Sequence, residues 1–295
     1  MTLLWNSALF LLLVTGGLLG LTLPFGKLAG QAGVAPEVWS LLISAGAGAV
    51  LLAVFLAQSG AIRLDGGRLR YFLIVALLSY AIPNVLMFSS MPHLGAGYVG
   101  IMFTLTPMLT LVFSALLGIR RPSALGVAGI LVGFAGALLV ATTRGEAGQP
   151  ASLGWVAVGL AVPALLAAGN VYRTWDWPKG AAPLELAAGS NVAAALMLLA
   201  LVLATGAASS IGWLAGVPLL SLLQVASAAG MFAFFFRLQS VGGPIYLSQI
   251  GYVGAAVGLV SGTFFLGETY QPLTWIGAAI IFAGVAMTTK AQKAA

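Results

Sequence analysis

The sequence contains no cysteine, a single histidine (His93) and only six carboxylates among its 295 residues. The lack of cysteine excludes disulfides and thiolate metal sites. One histidine and so few acids also leave little material for a zinc site or a catalytic triad. We therefore expect no metal, no cofactor and no enzyme activity. This includes membrane enzymes that act on lipids, which would need clustered acids, histidine or serine-based chemistry.

Charge is equally scarce. Charged residues make up 6% of the chain and hydrophobic residues 61%, whereas a soluble domain carries about 25% charged residues. Such a chain cannot cover a water-facing surface, so the composition indicates an all-α, multi-pass membrane protein. The net charge of +6 does not indicate nucleic-acid binding, because the basic residues lie between apolar spans and are explained by membrane topology.

The apolar segments predict ten transmembrane helices, because a helix needs about 20 residues to cross a bilayer. The first segment is expected to be a true span and not a cleaved signal peptide, since no basic residue precedes its apolar run. The connections are too short to hold a soluble domain. We place the spans near residues 4–28, 36–58, 70–90, 94–118, 122–142, 152–173, 182–205, 216–237, 243–266 and 271–290.

The basic residues predict the orientation. With a cytoplasmic N-terminus, ten of the 12 Lys and Arg residues fall in inner loops or the tail, and only Lys27 and Arg144 fall outside. The positive-inside rule therefore predicts that both termini are cytoplasmic, which requires an even number of spans. The inner residues are Arg63, Arg68, Arg70, Arg120, Arg121, Arg173, Lys179, Arg237, Lys290 and Lys293.

The second half of the chain repeats features of the first at a constant offset of 148 residues. We interpret this as a duplication, with repeats of residues 1–145 and 146–295. Since five spans is an odd number, the second repeat must be inverted, which is the arrangement used for alternating access. A duplicated structural or anchoring protein is the alternative. The matched positions are Tyr98 with Tyr246, Gly129 with Gly277, and Phe134-Ala135-Gly136 with Phe282-Ala283-Gly284.

The end of the chain carries a family resemblance. The stretch Gly262-Thr-Phe-Phe-Leu-Gly-Glu268, then Trp275-Ile-Gly277 and Ile280-Ile-Phe-Ala-Gly284, resembles the closing signature of the drug/metabolite transporter superfamily, EamA-type. In the first half, Ile119 stands where the corresponding Glu is expected. The whole chain is also similar to bacterial aromatic amino acid exporters. The resemblance implies transport of small organic molecules across the bacterial inner membrane, through a central cavity lined by both halves.

The third span holds the first candidate substrate-binding residues. Tyr80, Pro83, Asn84 and Met87 lie at i, i+3, i+4 and i+7, on one helix face. An Asn in hydrocarbon needs partners, so this face should look into the bundle, where Pro83 also frees a backbone carbonyl. The alternative is that Asn84 only ties two helices together. We predict that Tyr80, Asn84 and Met87 bind substrate.

The fourth and ninth spans hold the repeated Tyr, and supply the other candidates: Tyr98, Met102, Tyr246, Gln249 and Tyr252. A single Tyr near a span end is usually an interfacial anchor. The repetition in register, with Gln249 one turn deeper than Tyr246, favours lining of the cavity instead.

Hinge candidates follow from helix-weakening residues. Gly20 and Pro24 interrupt the first span, and Pro163 the sixth, which also carries Asn170 near its cytoplasmic end. We predict that these two helices bend during transport.

The acids are informative by position, because all six lie in predicted loops or at span ends. Proton and sodium sites usually place acids in mid-membrane, so we expect facilitated transport, or coupling without a buried acid. Glu268 is expected to pack at a helix end. No charged side chain is expected deep in the membrane beside the substrate, which disfavours highly charged substrates.

The function predicted from these features is export of small neutral or aromatic amino acids, or similar metabolites, by alternating access. The alternatives are a multidrug or cationic-compound exporter, and a membrane scaffold or sensor that carries no flux. The partners expected are a small-molecule substrate and the lipid bilayer. The glycines of the fifth and tenth spans allow close helix packing, either within a monomer or in a homodimer.

Overall fold

A computed structural model of the chain describes residues 5–59, 64–118, 123–143, 145 and 150–293. Within these ranges, the side chains of residues 59, 242–246, 248, 285, 288, 289, 292 and 293 are not described. Throughout this part of the chain the regular structure is helical, and no strand occurs. The predicted all-helical class is therefore confirmed.

The helices are numbered α1 to α10 in chain order. A short 3₁₀ segment, Ala207–Gly216, lies between α7 and α8. The helices are α1 Ala8–Gln31, α2 Pro36–Ser59, α3 Gly66–Leu94, α4 Ala96–Leu116, α5 Ala124–Thr143, α6 Leu153–Trp175, α7 Pro183–Thr205, α8 Pro218–Ser248, α9 Ile250–Phe265 and α10 Pro272–Lys293.

Eight of the described helices, α1 to α8, are long and apolar enough to cross a membrane. The apolar helices Ile250–Phe265 and Pro272–Gly284 are shorter than the usual span. A multi-pass membrane protein is therefore confirmed with eight candidate spans.

Local sequence sets several helix ends. The Asp65 side chain accepts a hydrogen bond from Arg68 N (2.9 Å) and so caps α3. The Ser7 hydroxyl accepts one from Phe10 N (3.3 Å) and caps α1. Gly206 ends α7 at a positive φ of 73°, a conformation that glycine adopts without strain.

Two helices are irregular at mid-length, and both irregularities lie beside a proline. In α3, residues Leu77–Ala81 form a π turn in which Ile82 N donates to Leu77 O, because Pro83 has no N–H and its ring obstructs regular α geometry. In α4, the turn between Phe103 and Thr106 tightens before Pro107. The π turn widens α3 and the tightened turn narrows α4, and residues of both segments line the central cavity.

Helices of the two halves of the chain pack against each other. α1 packs against α8 and α9, and α6 packs against α3 and α4. The remaining large contacts pair α2 with α7, α4 with α9, and α5 with α10. The last pair is especially close, because a Cβ built on Gly284 would lie 2.4 Å from Gly133 N. The glycine faces of α5 and α10 therefore pack against each other within one chain.

Candidate functional site

A central cavity lies between α1, α2, α3, α4, α6, α8 and α9, so helices of both halves line it. The cavity volume is about 80 Å³, which is smaller than the roughly 300–1,000 Å³ of typical small-molecule sites, so the helices must move apart to admit an amino acid. Most of the wall is apolar or aromatic. The polar side chains that line it are Thr22, Ser79, Tyr80, Asn84, Thr106, Asn170 and Arg173.

The predicted face of α3 forms one wall of this cavity. Tyr80, Asn84 and Met87 all line it, together with Pro83. The Tyr80 ring packs edge-on against Phe232 at 4.8 Å between centroids. The Tyr80 hydroxyl is buried and finds no hydrogen-bond partner among the described residues, so it retains its capacity to bind a ligand. Substrate binding by these residues stays a prediction.

Beside this face of α3, the cavity is also lined by a buried cation that the sequence did not indicate. Arg173, near the end of α6, is only 1% exposed and lines the cavity. Its Nη1 donates to Ser79 Oγ on the π turn, and its Nη2 donates to Asn170 Oδ1 (2.5 Å). The guanidinium carbon lies 4.7 Å from the centroid of the Phe235 ring. The expectation that no charged side chain would lie beside the substrate is therefore wrong.

Asn170 holds Arg173 in place. Besides accepting from Arg173, its Nδ2 donates to Thr110 Oγ1 of α4 (3.5 Å). Asn170 is thus part of a polar link between α4, α6 and α3. Its predicted hinge role is untested by these contacts.

The other hinge candidates lie inside helices. Pro24 is buried within α1, and Pro163 is buried within α6. Gly20 allows α1 to approach α9 closely, since a Cβ there would lie 2.5 Å from Val257 Cβ. Bending at these positions stays a prediction.

Two candidates of the fourth span lie outside the described cavity wall. The Tyr98 hydroxyl donates to Val140 O (2.9 Å), which joins α4 to α5. Met102 packs against α6, where a Cβ on Gly159 would lie 2.6 Å from the Met102 Sδ. These contacts give both residues packing roles, and their predicted role in binding is not tested by them.

Of the candidates near the start of α9, one lies beside the cavity and one packs against α10. Gln249 stands between the lining residues Leu247 and Ile250, and its Nε2 is buried without a hydrogen bond to any described group. The Tyr252 ring lies 6.1 Å from the Phe282 ring of α10. The side chain of Tyr246 is outside the described residues.

A second buried charge, Glu268, lies against the N-terminal end of α4. Glu268, 1% exposed, accepts hydrogen bonds from Ala96 N (2.7 Å), Gly97 N (2.9 Å), Lys27 Nζ (2.5 Å) and the Tyr270 hydroxyl. Burial raises the pKa of this carboxyl, but the bonds from Lys27, Tyr270 and the two amides outweigh it and leave the pKa below its usual value. Glu268 therefore packs at a helix end, as predicted, and the helix it caps is α4.

The comparison with protein families agrees with this architecture. Residues 6–142, which hold α1 to α4 and all but the last residue of α5, match the EamA-like transporter family. Over these residues the chain is similar to an EamA-like transporter domain. This confirms the resemblance to the drug/metabolite transporter superfamily, and the EamA-like family implies a membrane transporter and not an enzyme.

Solved structures also resemble the chain. One chain, described as "Crystal structure of protein", aligns with a TM-score of 0.64 and 21% identity, covering 94% of this chain and 98% of its own length. At this identity the likeness concerns the fold alone. No curated protein matches the sequence significantly.

Proposed function

We propose that this EamA-like protein exports small neutral or aromatic amino acids, or similar metabolites, across the bacterial inner membrane by alternating access. The observation that carries the proposal is the central cavity, which helices of both halves line and which joins apolar rings to a few polar groups. Such a lining suits a molecule with an apolar body and one polar end.

Contacts between helix ends support ten alternating spans. Lys27, near the end of α1, meets Glu268 in the loop after α9, and Glu268 also meets the start of α4. The end of α1, the end of α9 and the start of α4 lie on the same side of the membrane if each helix runs opposite to the one before it. α9 then runs parallel to α1, and it crosses the membrane despite its short regular segment.

The opposite face supports the same pattern. Arg68, at the start of α3, pairs with Glu185 at the start of α7 (2.9 Å). Arg70 pairs with Asp176, just after α6 (2.7 Å). Starts of odd helices and ends of even helices therefore meet here, as ten alternating spans require. Five spans per half then make the second repeat inverted, with the boundary near residue 145, close to where the family match ends.

Charge supports the proposed orientation. Arg68, Arg70, Lys179 and Arg237 belong to the face that holds the starts of odd helices, whereas Lys27 belongs to the other. The positive-inside rule places the first face in the cytoplasm, with both termini.

The alternatives differ in what they require of the cavity. A cationic-compound exporter would bring a positive charge towards Arg173, which is unfavourable in a low-dielectric space. A scaffold or sensor has no need of a cavity between the halves. The lining therefore favours transport of neutral or anionic molecules.

Counterflow in proteoliposomes tests the proposed function. Vesicles loaded with unlabelled phenylalanine or tryptophan should accumulate the labelled amino acid through the parent protein. Asn84→Ala and Gln249→Ala should each slow this uptake, because each removes a polar group in or beside the cavity. Gln58→Ala, at an exposed position of α2, is the matched control and should transport normally.

The outcomes separate the candidate functions. Flux of methyl viologen without flux of amino acids would favour the cationic-compound exporter. No flux of any probe would favour the scaffold. If both cavity variants transport at the parent rate, the predicted binding residues are wrong even where transport is real.

A further inference from the structure

Arg173 has hydrogen-bonding capacity that the protein does not use. A guanidinium carries five N–H bonds, and two of them are engaged by Ser79 and Asn170. The Nε of Arg173 is buried and has no hydrogen-bond partner within the described part of the chain. The side chain nevertheless faces the cavity that it lines. The guanidinium therefore has donors at the edge of the cavity that the described residues do not occupy.

The charge of Arg173 also has no carboxylate partner within the described part of the chain. Among the described residues, the ion pairs are Lys27 with Glu268, Arg68 with Asp65 and Glu185, and Arg70 with Asp176. None of them includes Arg173. A buried cation without a carboxylate is costly in a membrane protein, and such a residue is usually retained for function.

The surroundings hold the guanidinium in one orientation. Ser79 fixes one Nη from α3, Asn170 fixes the other from α6, and the Phe235 ring of α8 covers one side of the group. The planar fork of an Arg suits a carboxylate, which it can bind through two parallel hydrogen bonds. The Tyr80 hydroxyl, which has no partner among the described groups, is carried on the same π turn as Ser79 and can add a further donor.

We propose that Arg173 is an anion subsite of the cavity, which binds the carboxylate of the transported molecule. This inference rests on the proposed transport function and narrows its substrates to organic carboxylates with an apolar or aromatic body. The body of the substrate lies among the apolar residues, including Met87, Met231 and Phe232. A zwitterionic aromatic amino acid belongs to this class, whereas its decarboxylated amine and its amide do not.

A binding experiment on the purified full chain tests the subsite. Equilibrium dialysis in detergent compares phenylalanine, phenylalaninamide, phenethylamine and 3-phenylpropionate. The parent should bind the two carboxylates at least about tenfold more tightly than the amide and the amine, as expected for a charge-assisted pair.

Matched variants separate the subsite from a purely structural Arg. Arg173→Gln should lose the preference for carboxylates over the amide, while Arg173→Lys, which keeps the charge and loses the fork, should retain part of it. Lys179→Gln removes an exposed basic residue and should keep the full preference. Equal binding of acid and amide by the parent, or an unchanged preference in Arg173→Gln, would overturn the proposal.

If a variant does not fold, the affinities of the parent for the four compounds still test the subsite. The proposal requires that the parent bind the two carboxylates more tightly than the amide and the amine. Counterflow distinguishes the two proposals. Carboxylate-selective binding without flux would contradict the transport function and leave the subsite in place. Flux without carboxylate preference would contradict the subsite alone.

Discussion

Glu268 and Arg173 are two buried charges of opposite sign, and they are compensated in different ways. Glu268 accepts from Lys27, Tyr270 and the backbone amides of Ala96 and Gly97. Arg173 donates only to two neutral side chains and keeps an unused Nε within the described part of the protein. A saturated charge fixes structure, whereas an unsaturated one beside a cavity retains binding capacity.

Each charge links a residue of the second half of the chain to residues of the first half. The two sites therefore differ in the hydrogen-bond partners of the charge and not in the parts of the chain that they connect. Glu268 connects the α9–α10 loop to α1 and to the N-terminus of α4, where the helix dipole also favours a negative charge. Arg173 connects α6 to the π turn of α3. We expect the first contact to stabilise the fold and the second to shape substrate selectivity.

The largest expected effect concerns stability. Glu268→Ala would remove the carboxylate that pairs with Lys27, a side chain only 15% exposed, and the acceptor for two buried amides. Breaking a buried ion pair costs about 3–5 kcal/mol, so thermal unfolding in detergent should show a clear loss. Arg173→Met removes a charge that has no carboxylate partner among the described residues, and leaves the Ser79 and Asn170 acceptors without their donor. It should therefore cost less, about 1–3 kcal/mol.

The control for this pair is the double variant Lys27→Met with Glu268→Met, which removes both charges and should recover part of the lost stability. Comparable destabilisation by Glu268→Ala and Arg173→Met would break the comparison. It would mean that Arg173 is as structural as Glu268.

A smaller effect is expected from pH. The pKa of Glu268 is lowered below the usual value of 4.5, because the bonds from Lys27, Tyr270 and the amides outweigh burial, which raises it. A lowered pKa contributes stability that is present above pH 4.5 and is lost as pH falls through the folded-state value. The melting temperature of the parent should therefore drop in acid, below about pH 4.5.

Glu268→Gln supplies the control, because it cannot ionise. Its melting temperature should start lower at neutral pH and fall less between pH values above and below the transition. An equally steep acid loss in Glu268→Gln would assign the acid sensitivity to other carboxylates.

The sequence was sufficient to predict the helical class and one wall of the cavity. Residues i, i+3, i+4 and i+7 of a helix share a face, so Tyr80, Asn84 and Met87 had to lie together, and the polarity of Asn84 indicated that they face inward. Pro83 also indicated an irregular backbone, which the structure has as a π turn.

The presence of Arg173 in the cavity lining was not predictable in this way. Arg173 is two residues from the end of α6, a position that in sequence reads as a cytoplasmic loop or interface. Its burial depends on α3 and α8, which are distant in the chain. For Tyr98, the repetition of the Tyr in the second half predicted a position in the cavity lining. In the structure its hydroxyl instead donates to Val140 O of α5. Which neighbour covers a helix face is a property of tertiary packing and cannot be inferred from the helix alone.

The smallest effects are expected from two tyrosines, one whose hydroxyl is hydrogen-bonded and one whose hydroxyl has no partner among the described groups. Tyr98→Phe removes the hydroxyl that donates to Val140 O, but this carbonyl also accepts from Thr143 Oγ1 (2.7 Å). The loss of stability should be about 1 kcal/mol or less, with phenylalanine counterflow unchanged. Tyr80→Phe removes a hydroxyl without a partner among the described groups, so it should leave the melting temperature unchanged and weaken binding of phenylalanine. A fall in counterflow for Tyr98→Phe at unchanged stability would instead support the substrate role predicted for Tyr98.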